Sequence, residues 1–354
     1  MLVDRFCEMV RIDSESGNER RFIAYLEEVF REELEASCEL DSYGNLICRV
    51  PAKDSSADPL LLAAHADTVK PGQGIEPVVE GDVIRSAGNT ILGADDKAGI
   101  VEILEAVRTA TKHPPLEIVI TREEEIGLVG AKNLDYTKIT AKRGLLLDSD
   151  VLDVVVIGGP THFLIDVEIL GRAAHAGMEP EKGISAIRTA ALAITKFPEG
   201  RVDEETTANV GIIHGGEIRN AVPERAKIAG ECRSLDHDKA VRLSEHIKQA
   251  FEAAAAETGA KVQIKVEQAC RAFRLAESAF IVKLAKQAIR DAGLEPKTQV
   301  ITGGTDASIF NQHGIETAVL GTGAKNEHSK DEHIAVSDMQ KAAEILQHAL
   351  VLLS

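Results

Sequence analysis

Four short segments in the first half of the chain bring acids, one of them with a histidine, to the ends of apolar runs or the start of a helix. Leu60–Asp67 reads Leu-Leu-Leu-Ala-Ala-His-Ala-Asp, so His65 and Asp67 stand two residues apart where a buried strand would end. Residues i and i+2 of an extended chain point the same way, and an imidazole backed by a carboxylate suits metal binding. Gly93-Ala-Asp95-Asp96-Lys97 precedes a helix, Thr121-Arg-Glu123-Glu124-Glu125-Ile-Gly127 follows a strand, and Leu145-Leu-Leu-Asp148-Ser-Asp150 closes another. Singly, each has an ordinary use: a surface pair, helix N-caps, a solvated turn, a loop cap. Together they would crowd carboxylates at the carboxyl ends of successive strands, where open α/β sheets bind ligands. Such crowding is unfavourable without compensating charge. Divalent cations supply it, and His with Asp/Glu ligands suits zinc, cobalt or manganese.

The elements that must hold these groups follow from periodicity. Asn18–Ser37 predicts an amphipathic helix, and Leu40–Val50 a strand pair around Tyr43-Gly44-Asn45. Strands at Leu60–Ala64, Leu116–Thr121 and Gly144–Leu147, with a helix over Lys97–Thr111, predict a mostly parallel sheet covered on both faces. After about Gly158 the pattern changes. Phe163–Leu170 alternates, with Ile165, Val167 and Ile169 on one face, as a one-sided strand does. The order that follows is helix Ile184–Lys196, strands Ala208–Ile213 and Arg225–Cys232, helix Lys239–Glu257 and strand Lys261–Ala269. That β-α-β-β-α-β order predicts a ferredoxin-like α+β unit. Helices at Ala279–Asp291 and Ser337–Leu353 resume the first pattern, so the smaller unit is inserted into the larger. Residues 1–158 and 272–354 would form a discontinuous catalytic domain and 159–271 a lid.

Composition narrows the function classes. The 354 residues carry 40 Lys plus Arg against 57 Asp plus Glu, a net charge of −17. A chain this acidic repels nucleic acid and anionic membrane surfaces, which excludes both as expected partners. Its five cysteines are scattered without a Cys-x-x-Cys pair and read as reduced thiols. The acids and Arg11 within the first thirteen residues argue against a signal peptide, and no uncharged run is long enough to cross a bilayer. The expected location is the cytoplasm.

Taken as an ordered set, these motifs resemble the dinuclear zinc peptidase family. That family includes tripeptidase (peptidase T), aminoacylase, glutamate carboxypeptidase and succinyl-diaminopimelate desuccinylase. Leu92-Gly-Ala-Asp-Asp-Lys-Ala-Gly-Ile100 is very similar to the metal loop of the peptidase T-like branch. The resemblance implies a zinc-peptidase-like α/β catalytic domain with an inserted lid, and a metallo-aminopeptidase acting on short peptides through two metal ions. It implies His65, Asp95, Glu125, Asp148 and His328 as ligands, with Asp95 bridging through a cis Asp95–Asp96 peptide. Asp67 would fix the His65 ring and Glu124 would be the general base. His328 is nominated by Glu327-His-Ser-Lys-Asp-Glu332. The lid would add His175, from Gly171-Arg-Ala-Ala-His-Ala-Gly177, to polarise the scissile carbonyl. Asn220, Arg233, Gly304 and Asp306 would contact substrate, and the lid would support a homodimer. One position departs from the tripeptidase pattern: Thr302 stands where an Arg is expected before Gly-Gly-Thr-Asp306, and Thr cannot replace bidentate carboxylate recognition. N-acyl amino acid hydrolysis or carboxypeptidase action are the alternatives in the same family, and an inactive metal-binding scaffold is the alternative outside enzymology.

Overall fold

The computed structural model describes residues 2–354, which form two compact units. The larger comprises the chain up to Gly158 with Arg274–Ile301 and Thr305–Ser354; the smaller comprises Gly159–Phe273 with Thr302–Gly304.

A nine-stranded sheet organises the larger unit. The strand Leu60–His65 lies between Leu116–Thr121 and Arg143–Leu147, parallel to both, and Glu316–Leu320 runs parallel to Arg143–Leu147 on its far side. All six residues of Leu60–His65 and of Leu116–Thr121 are buried, which explains why these strands read as continuous apolar runs. The chain leaves Leu60–His65, crosses through the helix Ala94–Thr109 to one neighbour, and later returns on the other side. The carboxyl end of Leu60–His65 is therefore a topological switch point, where the connecting loops part and leave a crevice.

Local bounds shift slightly from those read in sequence. The first amphipathic helix spans Arg20–Leu34, and the strand pair is Ser37–Leu40 with Leu46–Val50. The structure adds a helix Leu2–Val10, which buries Phe6, Met9 and Val10, and a three-stranded sheet of Pro77–Glu80, Val83–Ser86 and His333–Ala335, whose strands are too short and mixed in polarity to carry a distinct sequence signal. The expectation that every cysteine is a free thiol is corrected. Cys38 and Cys48 face each other across the Ser37–Leu40/Leu46–Val50 ladder, with Cα atoms 4.1 Å apart, and form a disulfide. Directly opposed residues of an antiparallel pair come this close, a proximity that sequence spacing alone does not reveal. Cys7 and Cys232 are free and buried, and Cys270 is buried.

In the smaller unit an antiparallel sheet packs against two helices, Ala186–Ile194 and His237–Thr258. Its long strands are Thr206–Gly215, Arg225–Ser234, Thr161–Leu170 and Lys261–Cys270, in that spatial order. Numbered along the chain this is 2-3-1-4, the split β-α-β unit. Ile165, Val167 and Ile169 all face the helices.

Candidate active site

The site is built on the carboxyl ends of the parallel strands. His65 ends its strand and pairs in register with Thr121, two residues before the Glu123–Glu125 turn; Asp148 follows the strand Arg143–Leu147 directly. Asp95 and Asp96 lie at the start of the crossover helix, where their backbone is not yet helical and the peptide between them is cis. They do not cap the helix through their side chains; Gly93, at φ +73, occupies that position.

Asp95 joins two histidines. Its Oδ1 lies 3.1 Å from His65 Nε2 and its Oδ2 lies 3.1 Å from His328 Nε2. Glu125 Oε1 is 2.8 Å from the same His328 nitrogen, and Asp148 Oδ1 is 3.9 Å from His65 Nε2. Ligand atoms of His65, Asp95 and Glu125 lie within 4.8 Å of one another, as do those of His65, Asp96 and Asp148. Asp96, not among the expected ligands, belongs to the second of these groups. It is buried, with Oδ2 accepting the His65 backbone N–H at 3.1 Å and Oδ1 without a protein partner.

Asp67 does more than back the imidazole. His65 Nδ1 makes its shorter contact to the Asp67 main-chain carbonyl, 2.9 Å, with carboxylate Oδ1 at 3.4 Å. A ring nitrogen facing a carbonyl carries a proton, so Nε2 is the nitrogen that would offer its lone pair to a cation. The Asp67 carboxylate also accepts the backbone N–H groups of Glu124 (2.8 Å) and Glu125 (3.2 Å) and the Ser16 hydroxyl (2.7 Å). One buried carboxylate thus fixes both the imidazole and the glutamate turn.

A second buried carboxylate supports the metal-loop segment. Glu332 Oε2 accepts the N–H groups of Leu92 and Gly93, both at 2.7 Å, and Oε1 accepts that of Asp95 at 3.0 Å. The motif around His328 contained Glu332, but only the fold shows that it acts on residues some 240 positions earlier.

The charges are unbalanced. Burial opposes a charge on His65, but Asp67 and Asp95 outweigh it and hold the imidazole well above its usual value. Hydrogen bonds to Asp95 and Glu125 raise His328 to about 10. Burial pushes Asp95 up, but the two imidazoles outweigh it and hold this carboxyl below the usual range. Burial, reinforced by Asp148, drives Glu124 well up; burial does the same to Asp148, reinforced by Asp95 after His65 opposes it. Asp148 Oδ2 is buried without a protein partner, like Asp96 Oδ1. Orphaned carboxylate oxygens, and acids that favour a positive charge on both imidazoles, fit a centre that a cation would occupy, and a mixed oxygen and nitrogen donor set suits divalent zinc, cobalt or manganese.

The remaining expected residues fall into two groups. Asp306 is buried in the larger unit; Oδ2 accepts the Thr121 hydroxyl at 2.5 Å, Oδ1 has no protein partner, and burial raises the carboxyl to about 6. His175, Asn220, Arg233 and Gly304 belong to the smaller unit. There the His175 loop pairs with the Asn220 segment, Ala176 N–H donating to Asn220 O and Val222 N–H to Ala174 O, both at 2.9 Å. His175 is exposed, and its Nδ1 accepts the N–H groups of Gly177 and Met178, both at 3.2 Å. That fixes the tautomer with its proton on Nε2. Arg233 is held by Glu231 in a bidentate pair at 3.0 and 2.9 Å and reaches the Thr302 carbonyl at 3.3 Å. Gly304 is half-buried in the same short Thr302–Gly304 segment.

Residues 61–351 match the model of peptidase family M20/M25/M40. The chain belongs to this family. An uncharacterized protein of Bacillus subtilis, YqjE, is 38% identical over 357 residues, spanning 98% of this chain and 96% of that one. Peptidase T of Fusobacterium nucleatum is 31% identical, over 75% of this chain and 66% of its own. Among solved structures, the aminopeptidase PepT of Bacillus cereus superposes with a TM-score of 0.90 at 39% identity, covering 99% of this chain and 98% of that one. A tripeptidase of Staphylococcus aureus superposes at 0.94 with 35% identity, covering 99% and 97%. These likenesses put the chain in the peptidase T-like branch of the M20/M25/M40 peptidases, with a mixed α/β fold around a mainly parallel sheet. No helix among the described residues is long and apolar enough to cross a membrane.

Proposed function

We propose that this family member is a metal-dependent aminopeptidase that hydrolyses short peptides at the N-terminal residue. The observation that carries the proposal is Asp95, whose two oxygens face different histidines, His65 buried at a strand end and His328 exposed in a loop. In this reading His65, Asp148, His328, Glu125 and Asp95 would together hold two divalent ions. Zinc, cobalt and manganese all suit these donors. Bound there, such ions supply an acidified water and positive charge for the developing oxyanion.

The chain's own residues do the rest. Glu124, buried and disfavouring charge, accepts the proton of the attacking water and returns it to the leaving amine. Asp67 keeps His65 and the Glu124 backbone in fixed relation. His175, with its proton on Nε2, donates to the carbonyl oxygen of the substrate. Asn220, Arg233, Gly304 and Asp306 line or support the substrate subsites. The unit from Gly159 to Phe273 acts as a lid and joins two copies, and the enzyme works in the cytoplasm. Support for the joining role is the edge of strand Thr206–Gly215. Only its first residues are paired by Gly200–Arg201, and Ile212 and Ile213 are half exposed.

A second reading keeps the same chemistry on N-acyl amino acids or at C-terminal residues. It draws on Thr302, which lacks the guanidinium that would fix a tripeptide's carboxylate and so the length of the substrate. A panel of tripeptides, dipeptides and N-acetyl amino acids, assayed with zinc, cobalt or manganese before and after chelation, separates the two. Glu124→Ala should retain its metals and lose turnover by about 100-fold or more. Near-normal turnover in that variant would remove Glu124 as the base.

A further inference from the structure

Among the contacts to the catalytic turn, one comes from the Tyr43-Gly44-Asn45 turn, which lies outside the acid-tipped motifs. The segment Arg122–Gly130, which carries Glu124 and Glu125, is a closed loop. Gly130 N–H donates to Arg122 O at 2.8 Å, Val129 N–H to Glu123 O at 3.0 Å, and Leu128 N–H to Glu124 O at 2.8 Å. At its neck sits the side chain of Asn45, fully buried. Asn45 Oδ1 accepts the Arg122 N–H at 3.1 Å, and Nδ2 donates to Gly130 O at 3.0 Å. A single amide therefore ties both ends of the loop together. Nothing larger than hydrogen fits on Gly130, where a Cβ would lie 2.1 Å from Arg122 O and 2.7 Å from Asn45 Oδ1.

Asn45 is itself held rigidly. Its second Nδ2 hydrogen goes to Asp41 Oδ2 at 2.8 Å, while Asp41 Oδ1 accepts the N–H groups of Tyr43, Gly44 and Asn45 at 2.8–3.0 Å. These residues form the hairpin between Ser37–Leu40 and Leu46–Val50. Tyr43 adds a hydrogen bond of 2.5 Å to Glu123 Oε2, at a residue held in the left-handed region with φ +55. The glutamate loop is thus pinned at its neck by the hairpin and near its tip by Asp67.

We propose that Asn45 is a positioning residue for the reaction, setting the placement of Glu124 and Glu125 by clamping Arg122 to Gly130. The inference rests on the functional reading above, in which Glu124 is the base and Glu125 a ligand. A buried amide meeting a backbone donor and a backbone acceptor cannot shift without unpairing one of them. The loop inherits that rigidity, and groups that orient ligands typically matter about 10–100-fold in affinity or activity.

The test compares Asn45→Ala and Asn45→Ser with the parent protein in three measurements: kcat and KM on a tripeptide, affinity of the chelated protein for Co2+, and melting temperature. The expected result is a kcat lower by about 10–100-fold, KM within about twofold, and Co2+ affinity weakened by about 10–100-fold, in protein that is still folded at the assay temperature. A role confined to stability would lower the melting temperature and leave kcat and Co2+ affinity at parental values in the cold; that outcome overturns the proposal. Where Asn45→Ala does not fold, Asn45→Ser at 10 °C decides, because the smaller hydroxyl retains one acceptor. If the parent hydrolyses no member of the panel, the functional reading fails by itself, and Co2+ affinity still decides whether Asn45 places Glu125.

Discussion

Removing the Glu332 carboxylate should loosen the metal loop and the fold together. In the parent, its two oxygens accept three backbone N–H groups, those of Leu92, Gly93 and Asp95, at 2.7–3.0 Å, and the residue is 1% exposed. Hydrogen bonds to a charged acceptor contribute about 1.5–3 kcal/mol each, and a buried donor left unpaired costs about 1–3 kcal/mol. Three such donors set an upper range near 9 kcal/mol, and water entering the space left by Glu332→Ala recovers part of it. We therefore expect Glu332→Ala to destabilise the larger unit by about 3–6 kcal/mol. Glu332→Gln is the milder perturbation. Its oxygen can keep Leu92 and Gly93 while its NH2 faces the Asp95 N–H, a donor against a donor, for a loss of about 1–3 kcal/mol. The three tyrosines, Tyr25, Tyr43 and Tyr136, all lie in the larger unit and the chain has no Trp, so tyrosine fluorescence in a urea titration reports this unit alone. Zinc affinity, measured by competition with a chelator, should fall about 10–100-fold in both variants because Asp95 loses its backbone anchor. A destabilisation below about 1 kcal/mol in Glu332→Ala, or parental zinc affinity in both variants, would refute the reasoning.

Other outcomes follow from the same geometry. Adding zinc at about 100 times its dissociation constant to chelated protein should stabilise it by about 2.7 kcal/mol per site, read as a rise in melting temperature, and His65→Ala should abolish most of that rise. Gly130→Ala should unfold at lower temperature and lose activity, since its Cβ would meet Arg122 O at 2.1 Å; wild-type melting and turnover would show that the loop neck can open freely. In the smaller unit, the His162 hydrogen bond, with Arg233 acting against burial, lowers Glu231 to about 2 from 4.5. A depressed carboxyl contributes stability above its unfolded value, lost as pH falls from about 4.5 towards 2. Thermal melts across that window should therefore show a steeper loss in the parent than in Glu231→Gln, and parallel curves would exclude Glu231 as a contributor.

What the sequence determined by itself was whatever depends on near neighbours along the chain. Continuous apolar runs gave the buried parallel strands, and alternation over Phe163–Leu170 gave the one-sided sheet, because side-chain direction repeats every two residues in a strand. The acids closing those runs pointed to a site at the strand ends, and the ordered motifs pointed to the family. Tertiary structure decided everything that depends on register and on distant segments. Asp96 reads as a cap until His65 is brought onto it from 31 residues away. Glu332 holds residues about 240 positions earlier, and Asn45 closes a loop 77–85 positions later. Cys38 and Cys48 pair because antiparallel register sets them opposite one another. Such partners have no periodic signature. A buried polar group must find its hydrogen bonds wherever the packed chain supplies them, so their identity emerges only once the strands are in place.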